Sequence, residues 1–240
     1  MRTPAFRVGA ADKLRALAHY ERVSDHYDQR VARGALRWLR HRERACVLKL
    51  LALDDGARTA IDVGCGAGFY ALSAKRAGLV VCAVDASPGM LRAVSGEVDD
   101  ARLADLEEVS FEGVYDRVIC AGVLEFTVDP EAALQKLFSL VAAGGRVVLL
   151  LPRAGIGGAI YRFEKWMFGV RVNLFTSAWI RQVAAEAGFV VDTIECPLPT
   201  NMAVSLKRKT LQPRGAHVAS RHLTVVPRGV VPEGGTRLSR

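Results

Sequence analysis

The 240-residue sequence predicts an α/β protein whose core is a mostly parallel sheet with helices on both faces. Two observations support this prediction. Short apolar runs rich in β-branched residues alternate along the chain with longer segments of helical period. A glycine-rich turn joins the first of these runs, Ala60–Val63, to a helix that begins at Phe69. A second run, Leu79–Val84, ends in Asp85 about twenty residues after the turn.

The other elements can be assigned in order along the chain. Apolar residues recur with the period of a helix from Asp12 to about Arg33, and again over Ala35–Leu53. Ser87 and Pro88 begin a helix with an N-cap hydroxyl and a proline at the first helical position. The remaining predicted strands are Ala101–Ala104, Asp116–Ala121, Arg146–Leu151, Phe189–Cys196 and Met202–Lys207. The remaining predicted helices are Phe69–Ala77, Pro130–Val141 and Thr176–Ala187.

The glycine-rich turn indicates a ligand without phosphate groups. A side chain at Gly64, Gly66 or Gly68 would block the turn, the approach of a ligand or the packing of helix on strand. The dinucleotide pattern G-x-G-x-x-G/A fails, because Phe69 stands at its sixth position. A carboxylate at Asp62, two residues before the first glycine, suits a ligand that carries an ammonium group.

Two motifs carry a resemblance to a known family. Asp62-Val-Gly-Cys-Gly-Ala-Gly68 resembles motif I of the class I S-adenosylmethionine-dependent methyltransferases. Val84-Asp-Ala-Ser-Pro-Gly-Met-Leu91 resembles the second motif of that family. The resemblance covers roughly residues 20–209. It implies a Rossmann-like sheet of seven strands with an antiparallel last strand, and S-adenosylmethionine as cofactor. A glycine-rich turn in some other α/β protein is the alternative.

The resemblance also implies the contacts of the cofactor. An acid at the end of the second strand, Asp85, can accept both ribose hydroxyls of an adenosine. Family members place an acid just past the third strand to accept from the adenine amino group, and Asp105 fits by position. Backbone carbonyls at Cys120 or Ala121 would hold the ammonium group. The predicted cofactor-binding residues are Tyr27, Asp62, Gly64, Cys65, Gly66, Gly68, Asp85, Ala86, Met90, Asp105, Leu106, Cys120 and Ala121.

Many family members fold a Tyr-Asp element over the cofactor as a lid, and Val23–Val31 is similar to it. We therefore predict that residues 1–55 form a helical cap. His26 is the candidate catalytic base, because it is the histidine near such a lid with an obvious use. An ordinary surface helix with polar residues is the alternative for this segment.

The acceptor site is predicted from two further stretches. Val123–Pro130 resembles the L-E-H-x-x-D-P run of ubiquinone-type O-methyltransferases, but Phe126 replaces the histidine and Gly122 replaces an acid. Two potential metal ligands are thus missing, and we predict no metal site. The aromatic-rich segment 153–175 follows strand five, where the family covers its acceptor pocket, although packing on the sheet edge would also explain it. The predicted acceptor-binding residues are Tyr20, Phe126, Tyr161, Phe163 and Trp166.

The net charge of +8 lies almost entirely in the tail. Residues 207–240 hold eight basic residues and one acid, whereas the body of the chain is nearly neutral. Residues 210–240 contain proline and glycine without a sustained period, which predicts disorder. Weak contact of this tail with acidic lipid or nucleic acid is the alternative to a purely solvated tail. The five scattered cysteines and the lack of an apolar run long enough for a bilayer indicate a reducing cytoplasm.

The sequence therefore predicts an enzyme with the methyltransferase domain at residues 56–209. Its predicted activity is methyl transfer from S-adenosylmethionine to an oxygen, nitrogen or carbon atom of a small, fairly apolar acceptor. Two alternatives remain open. A nucleic-acid methyltransferase would use the basic tail, and a non-catalytic module would bind S-adenosylmethionine without turnover.

Overall fold

The computed structural model describes residues 8–24, 36–108, 111 and 113–209. His26, Tyr27 and the tail from residue 210 lie outside this part of the chain, so the predictions made for them stay predictions. The helices are α1 (Ala10–Val23), α2 (Leu36–Leu51), α3 (Phe69–Arg76), α4 (Pro88–Arg92), α5 (Pro130–Ser139), α6 (Ile156–Met167) and α7 (Ser177–Glu186). The strands are β1 (Thr59–Val63), β2 (Val80–Asp85), β3 (Asp100–Leu103), β4 (Tyr115–Ala121), β5 (Val141–Pro152), β6 (Phe189–Leu198) and β7 (Asn201–Arg208).

These seven strands form one sheet in the order β3-β2-β1-β4-β5-β7-β6. The pairs from β3 to β5 are parallel, with Ile61 of β1 opposite Cys82 of β2 and Val118 of β4. The last strand, β7, runs antiparallel to both β5 and β6. The predicted fold class is therefore confirmed. The chain first builds the sheet outward from β1 to β3 and then continues on the other side of β1 with β4. At this change of direction, the loops after the carboxyl ends of β1 and β4 leave a crevice in which ligands bind.

Both faces of the sheet are covered, which explains why its central strands are apolar along their whole length. On one face, Ile119 and Val148 pack with Val47 and Leu51 of α2. On the other face, alternate residues of the same strands join the largest core cluster together with Leu134 of α5. The predicted strands lie here within one or two residues of their observed bounds, except at the start of β5.

The predicted boundary between α5 and β5 is wrong. The helix ends at Ser139, before the predicted Val141, and the strand already begins at Val141, before the predicted Arg146. The pairing shifts there, because Tyr115 pairs with Val141 and Arg117 pairs with Arg146. A side chain at Gly145 would approach the carbonyl oxygens of Asp116 and Tyr115 at 2.9 and 3.0 Å. These glycines serve a β-bulge against β4 rather than a helix end.

Two further observations bear on the sequence predictions. All five cysteines have free thiols, and four of them are buried. Of the helices in the described part of the chain, none combines the length and apolar character that crossing a bilayer requires. The domain limits at residues 55 and 209 stay predictions.

Candidate functional site

A cavity of about 400 Å³ runs along the carboxyl edge of the sheet. Its walls come from the loops after β1, β2, β3 and β4, from the end of β5 and from helices α1, α2 and α6. The predicted cofactor-binding residues that line it are Gly64, Cys65, Gly66, Asp85, Ala86, Met90, Asp105, Leu106 and Ala121. The predicted acceptor-binding residues that line it are Tyr20, Phe126 and Tyr161. The structure thus brings most of the predicted site together at one edge of the sheet.

Backbone amides of the glycine-rich loop donate hydrogen bonds to the end of β2. The amides of Gly64 and Cys65 donate to the carbonyl of Val84 at 2.7 and 2.9 Å, and the amide of Gly66 donates to Asp85 Oδ2 at 2.8 Å. Gly64 has a φ of +75°, and a Cβ there would overlap Val123 in the turn after β4. These three amides are therefore engaged within the protein, so they do not form the anion-binding cradle that a pyrophosphate needs.

Asp62 does not line the cavity, contrary to the prediction that its carboxylate faces an ammonium group. Its side chain is 1% exposed, and Oδ2 accepts a hydrogen bond of 3.0 Å from the amide of Ala71 in the first turn of α3. Oδ1 has no hydrogen-bond partner in the described part of the protein. Burial raises the pKa of Asp62 to about 7. Asp62 therefore ties α3 to β1 behind the glycine loop.

Two other predicted cofactor residues also lie behind the cavity wall. Gly68 precedes α3 with a φ of +81°, and a side chain there would overlap Val94. Cys120 is fully buried in the core cluster below β4, because alternate residues of a strand point to opposite faces. Both residues shape the site through packing and do not face its interior.

Asp85 lies at the edge of the cavity where the ribose was predicted. Its Oδ1 accepts from the amide of Ser87 and its Oδ2 from the amide of Gly66, each at 2.8 Å. Burial raises the pKa of this carboxyl group, although the backbone hydrogen bonds oppose that shift. Because a carboxylate oxygen has a second lone pair, both oxygens can still accept a hydroxyl group from the cavity.

Lys13 of α1 lines the cavity and was missed by the sequence reasoning. Its ammonium group lies 2.7 Å from Asp105 and 2.8 Å from Glu107. Burial lowers the pKa of Lys13, but the hydrogen bonds with the two acids outweigh this effect and leave the pKa raised. No local pattern marks this lysine, since the acids that it meets are more than ninety residues away along the chain.

The other end of α1 is bound to the start of α4. Glu21 accepts from the hydroxyl of Ser87 and, at 2.9 Å, from the amide of Gly89. A side chain at Gly89 would overlap Ser24 at the end of α1, so the two helices approach closely. Tyr20 packs edge-on against Phe126, with ring centroids 5.4 Å apart. Helix α1 therefore lies across the cavity, with polar contacts at each end and aromatic contacts between them.

Glu125 is the second residue that the sequence reasoning missed. It lies in the single turn of 3-10 helix, Leu124–Phe126, that follows β4, and its side chain is 3% exposed. Tyr161 donates to Oε1 at 3.4 Å, and Oε2 has no hydrogen-bond partner among the residues that the structure describes. Burial raises the pKa of Glu125 to about 7. One acid within an apolar run at the end of a parallel strand was the available signal.

Helix α6 contributes one face to the cavity and turns the other face away. Tyr161, Glu164 and Lys165 line the cavity, as expected for residues three and four apart on a helix. The Lys165 ammonium lies 5.3 Å from the centroid of the Tyr161 ring, and burial lowers the pKa of Lys165. Phe163 and Trp166 do not line the cavity and are 59% and 61% exposed. The prediction that both bind the acceptor is therefore wrong for this arrangement of α6.

No three His, Cys, Asp or Glu side chains of the described segments lie close enough together to hold a metal ion. The prediction of a metal-free site stays a prediction. The cavity has two ends. One is formed by the glycine loop, Asp85 and Asp105, and we call it the cofactor end after the role predicted for these residues. The other is formed by Glu125, Tyr161 and neighbouring residues of α2, α6 and β7, and we call it the acceptor end.

Comparison with known proteins agrees with this geometry. A family described as "Methyltransferase domain" matches residues 35–194. Ubiquinone biosynthesis O-methyltransferases of Xanthomonas axonopodis pv. citri and Xanthomonas euvesicatoria pv. vesicatoria are each 35% identical to the chain, over 105 and 102 residues. These alignments cover 40% and 39% of the chain and only 44% and 42% of the two relatives.

Solved structures share the fold at lower identity. The magnesium protoporphyrin IX methyltransferase of Synechocystis PCC 6803 has a TM-score of 0.67 and 20% identity, over 82% of this chain and 100% of that one. An S-adenosylmethionine-dependent methyltransferase from Mesorhizobium loti has a TM-score of 0.60 and 21% identity, over 70% and 98%. The match over most of its length, together with the sheet order, establishes that the chain belongs to the methyltransferase domain family.

Proposed function

We propose that this enzyme binds S-adenosylmethionine in the cavity and methylates an oxygen atom of a small acceptor. Two observations indicate that the cofactor end can hold S-adenosylmethionine. Carboxylates line it at Asp85 and Asp105, and the loop amides from Gly64 to Gly66 are already engaged. This arrangement suits the ribose and adenine of a nucleoside whose other end carries no phosphate. Bound S-adenosylmethionine would supply an activated methyl group.

The residues of the cofactor end have distinct roles in this proposal. Asp85 accepts the ribose hydroxyls, while the backbone amides of Gly66 and Ser87 hold its carboxylate in place. Asp105 accepts from the adenine amino group, and Lys13 holds Asp105 and Glu107 in place through its two ion pairs. Helix α1 excludes water from the cavity. These contacts of α1 support the proposed role of residues 1–55 as a cap.

The observation that supports oxygen as the methylated atom is the unpaired Oε2 of Glu125. A buried carboxylate oxygen without a partner is unfavourable, and a hydroxyl group of an acceptor would satisfy it. The hydroxyl proton would move to Glu125 Oε2 as the oxygen attacks the methyl group. A pKa of about 7 suits this step, because a general base works best near the working pH. Tyr161 orients the carboxylate through Oε1.

The acceptor end is less apolar than the sequence suggested. Tyr20, Leu39 and Phe126 supply apolar surface, but Arg40, Glu43 and Lys165 also line the wall. We therefore infer a small acceptor with an apolar body and at least one hydroxyl group.

The free thiols of all five cysteines are consistent with the cytoplasmic location inferred from the sequence.

The experiment compares the enzyme with Glu125→Gln and with a control at an exposed acid, Glu97→Gln. Release of S-adenosylhomocysteine is measured on a panel of small phenols, alcohols, amines and carboxylic acids. Removing a general base should lower kcat by about 10²–10⁴. Calorimetric affinity for S-adenosylhomocysteine should stay within twofold, because Glu125 lies outside the cofactor end.

Three outcomes would contradict the proposal. If Glu125→Gln turns over as fast as the control, Glu125 is not the general base. Product formed on RNA or DNA and on no small molecule would favour the nucleic-acid alternative, with binding that falls steeply as salt rises. Tight cofactor binding without turnover on the whole panel would favour the non-catalytic alternative.

A further inference from the structure

The surface of α6 that faces away from the cavity is a continuous apolar face. We call it the outer face of α6, and it consists of Ile156, Ile160, Phe163, Trp166, Met167 and the adjoining Phe168. The exposed fractions of these side chains range from 59% for Phe163 to 86% for Ile156. Single exposed apolar residues are common on proteins, but a contiguous set of this kind on one helix marks an interaction surface.

The helix cannot turn to bury this face, because its opposite side is in backbone contact. A Cβ at Gly158 would overlap the carbonyl oxygen of Arg153, and a Cβ at Gly157 would overlap the carbonyl of Pro199 in the turn between β6 and β7. Only glycine permits such an approach. One turn further along, Tyr161 and Lys165 face the cavity. The backbone contacts of the two glycines thus fix which side of α6 faces the protein. The apolar outer face is exposed because it lies on the opposite side.

The charges around the outer face are predominantly basic. Apart from Glu164 and Lys165, which line the cavity, residues 153–171 contain Arg153, Arg162 and Arg171 and no acid. An apolar stripe with aromatic residues beside arginine and lysine is typical of helices that lie in the plane of a membrane interface. A basic border around it is complementary to anionic lipid head groups. A second copy of the chain would bring the same basic residues against one another, which disfavours direct pairing of two outer faces.

We propose that the outer face of α6 docks on the surface of a bilayer that contains anionic lipid. Trp166 and Phe163 enter the boundary between head groups and acyl chains, while the basic residues contact phosphate groups. The inner side of the same helix forms the wall of the acceptor end, so docking places the cavity beside the membrane. An acceptor with an apolar body that partitions into the bilayer would then reach Glu125 by a short path. The docking does not depend on the role proposed for Glu125.

The test is partitioning of the full-length enzyme into vesicles of phosphatidylcholine with 30% phosphatidylglycerol, with pure phosphatidylcholine as reference. The key variant is Ile160→Glu with Phe163→Glu. Its matched control is Val80→Glu with Leu103→Glu, which changes two apolar residues of similar exposure, 58% and 59%, on β2 and β3. Cosedimentation should show at least a tenfold lower partition coefficient for the α6 variant, and a change within twofold for the control.

The basic tail is present in all of these proteins, so its contribution cancels in the comparison. Repeating the measurement in 0.5 M NaCl weakens the tail's electrostatic attraction and should leave most of the apolar difference. Emission of Trp166 should shift to shorter wavelength with vesicles, and Trp166→Phe should remove that shift while cosedimentation persists. Thermal unfolding of each variant verifies that it is folded, as expected for exposed positions.

Equal partitioning of the α6 variant and its control would overturn the proposal and assign membrane contact to the tail. So would sedimentation equilibrium that shows a dimer of the unmodified enzyme, dissociated by the α6 variant, with no binding to either vesicle. In that case the outer face joins two copies of the chain. Unchanged turnover on a water-soluble acceptor, together with lost vesicle binding, would support docking and leave the catalytic proposal intact.

Discussion

The replacement Glu125→Gln should change how stability depends on pH. Burial raises the pKa of Glu125 from 4.5 to about 7. The unfolded chain releases the proton near the ordinary pKa, whereas the folded protein holds it until about pH 7. Between these values the folded state binds more protons, so the free energy of unfolding falls as pH rises. At about 1.4 kcal/mol per pKa unit, ionised Glu125 lowers that free energy by about 3 kcal/mol above pH 7.

Urea unfolding at pH 5 and pH 8 measures this contribution. Between the two values the unmodified enzyme should lose about 2–3 kcal/mol more stability than Glu125→Gln, whose amide does not ionise. Asp62 titrates in the same range, because its pKa is also about 7, but it affects both proteins equally. The difference between the two proteins therefore isolates Glu125. Glu97→Gln, at an exposed acid, should follow the unmodified enzyme.

The same group should govern the rate. Because a base must be ionised, kcat of the unmodified enzyme should rise with pH through about 7 and then level off. A difference in stability loss below about 0.5 kcal/mol would mean that burial does not hold the proton on Glu125. The carboxyl group would then be ionised throughout, and the reasoning that joins its burial to its role as a base near neutral pH would be refuted.

Three further predictions concern tertiary contacts, two beside the cavity and one at the opposite edge of the sheet. Gly89→Ala places a methyl group against Ser24, so urea unfolding should show a loss of about 1–3 kcal/mol, against little change for Gly96→Ala, where the space is open. Lys13→Met removes the ion pairs of Asp105 and Glu107 and should cost about 1–2 kcal/mol by the same measurement, and a smaller loss would mean that the ion pairs are weak in solution. Arg117→Met leaves carbonyl groups at the end of α2 without their donor, so the thermal midpoint should fall with a loss of about 3 kcal/mol, and an unchanged midpoint would contradict this anchoring role.

Much of the cofactor end could be predicted because its signals are local. Gly64, Gly66 and Asp85 follow strands whose apolar character is visible in the sequence, and parallel strands bring their carboxyl ends to one edge. The prediction for Asp62 was wrong because two roles were possible for an acid at the end of β1. The close packing of α3 behind the loop decided between them, since Ala71 needs an acceptor there.

The contacts of α1 could not be predicted, because they join segments that are far apart in sequence. Lys13 meets Asp105 and Glu107, and Glu21 meets Ser87, only after the sheet has assembled beneath the helix. A polar helix shows no pattern that identifies its partners. Burial of Glu125 is similar, because it results from the packing of Tyr161 from α6 against the turn after β4.

The sequence by itself determined the sheet, its glycine loop and the family, because strand period, turn glycines and the spacing of acids depend on neighbouring residues. No helix was predicted within segment 153–175, so α6 itself is a finding of the structure. Which side of α6 faces the protein was decided only by the tertiary structure. The aromatic residues of the segment after strand five, where the family covers its acceptor pocket, favoured Phe163 and Trp166 inside the pocket. The backbone of Arg153 leaves room for nothing larger than Gly158, so the glycine side lies inward and the aromatic side remains exposed.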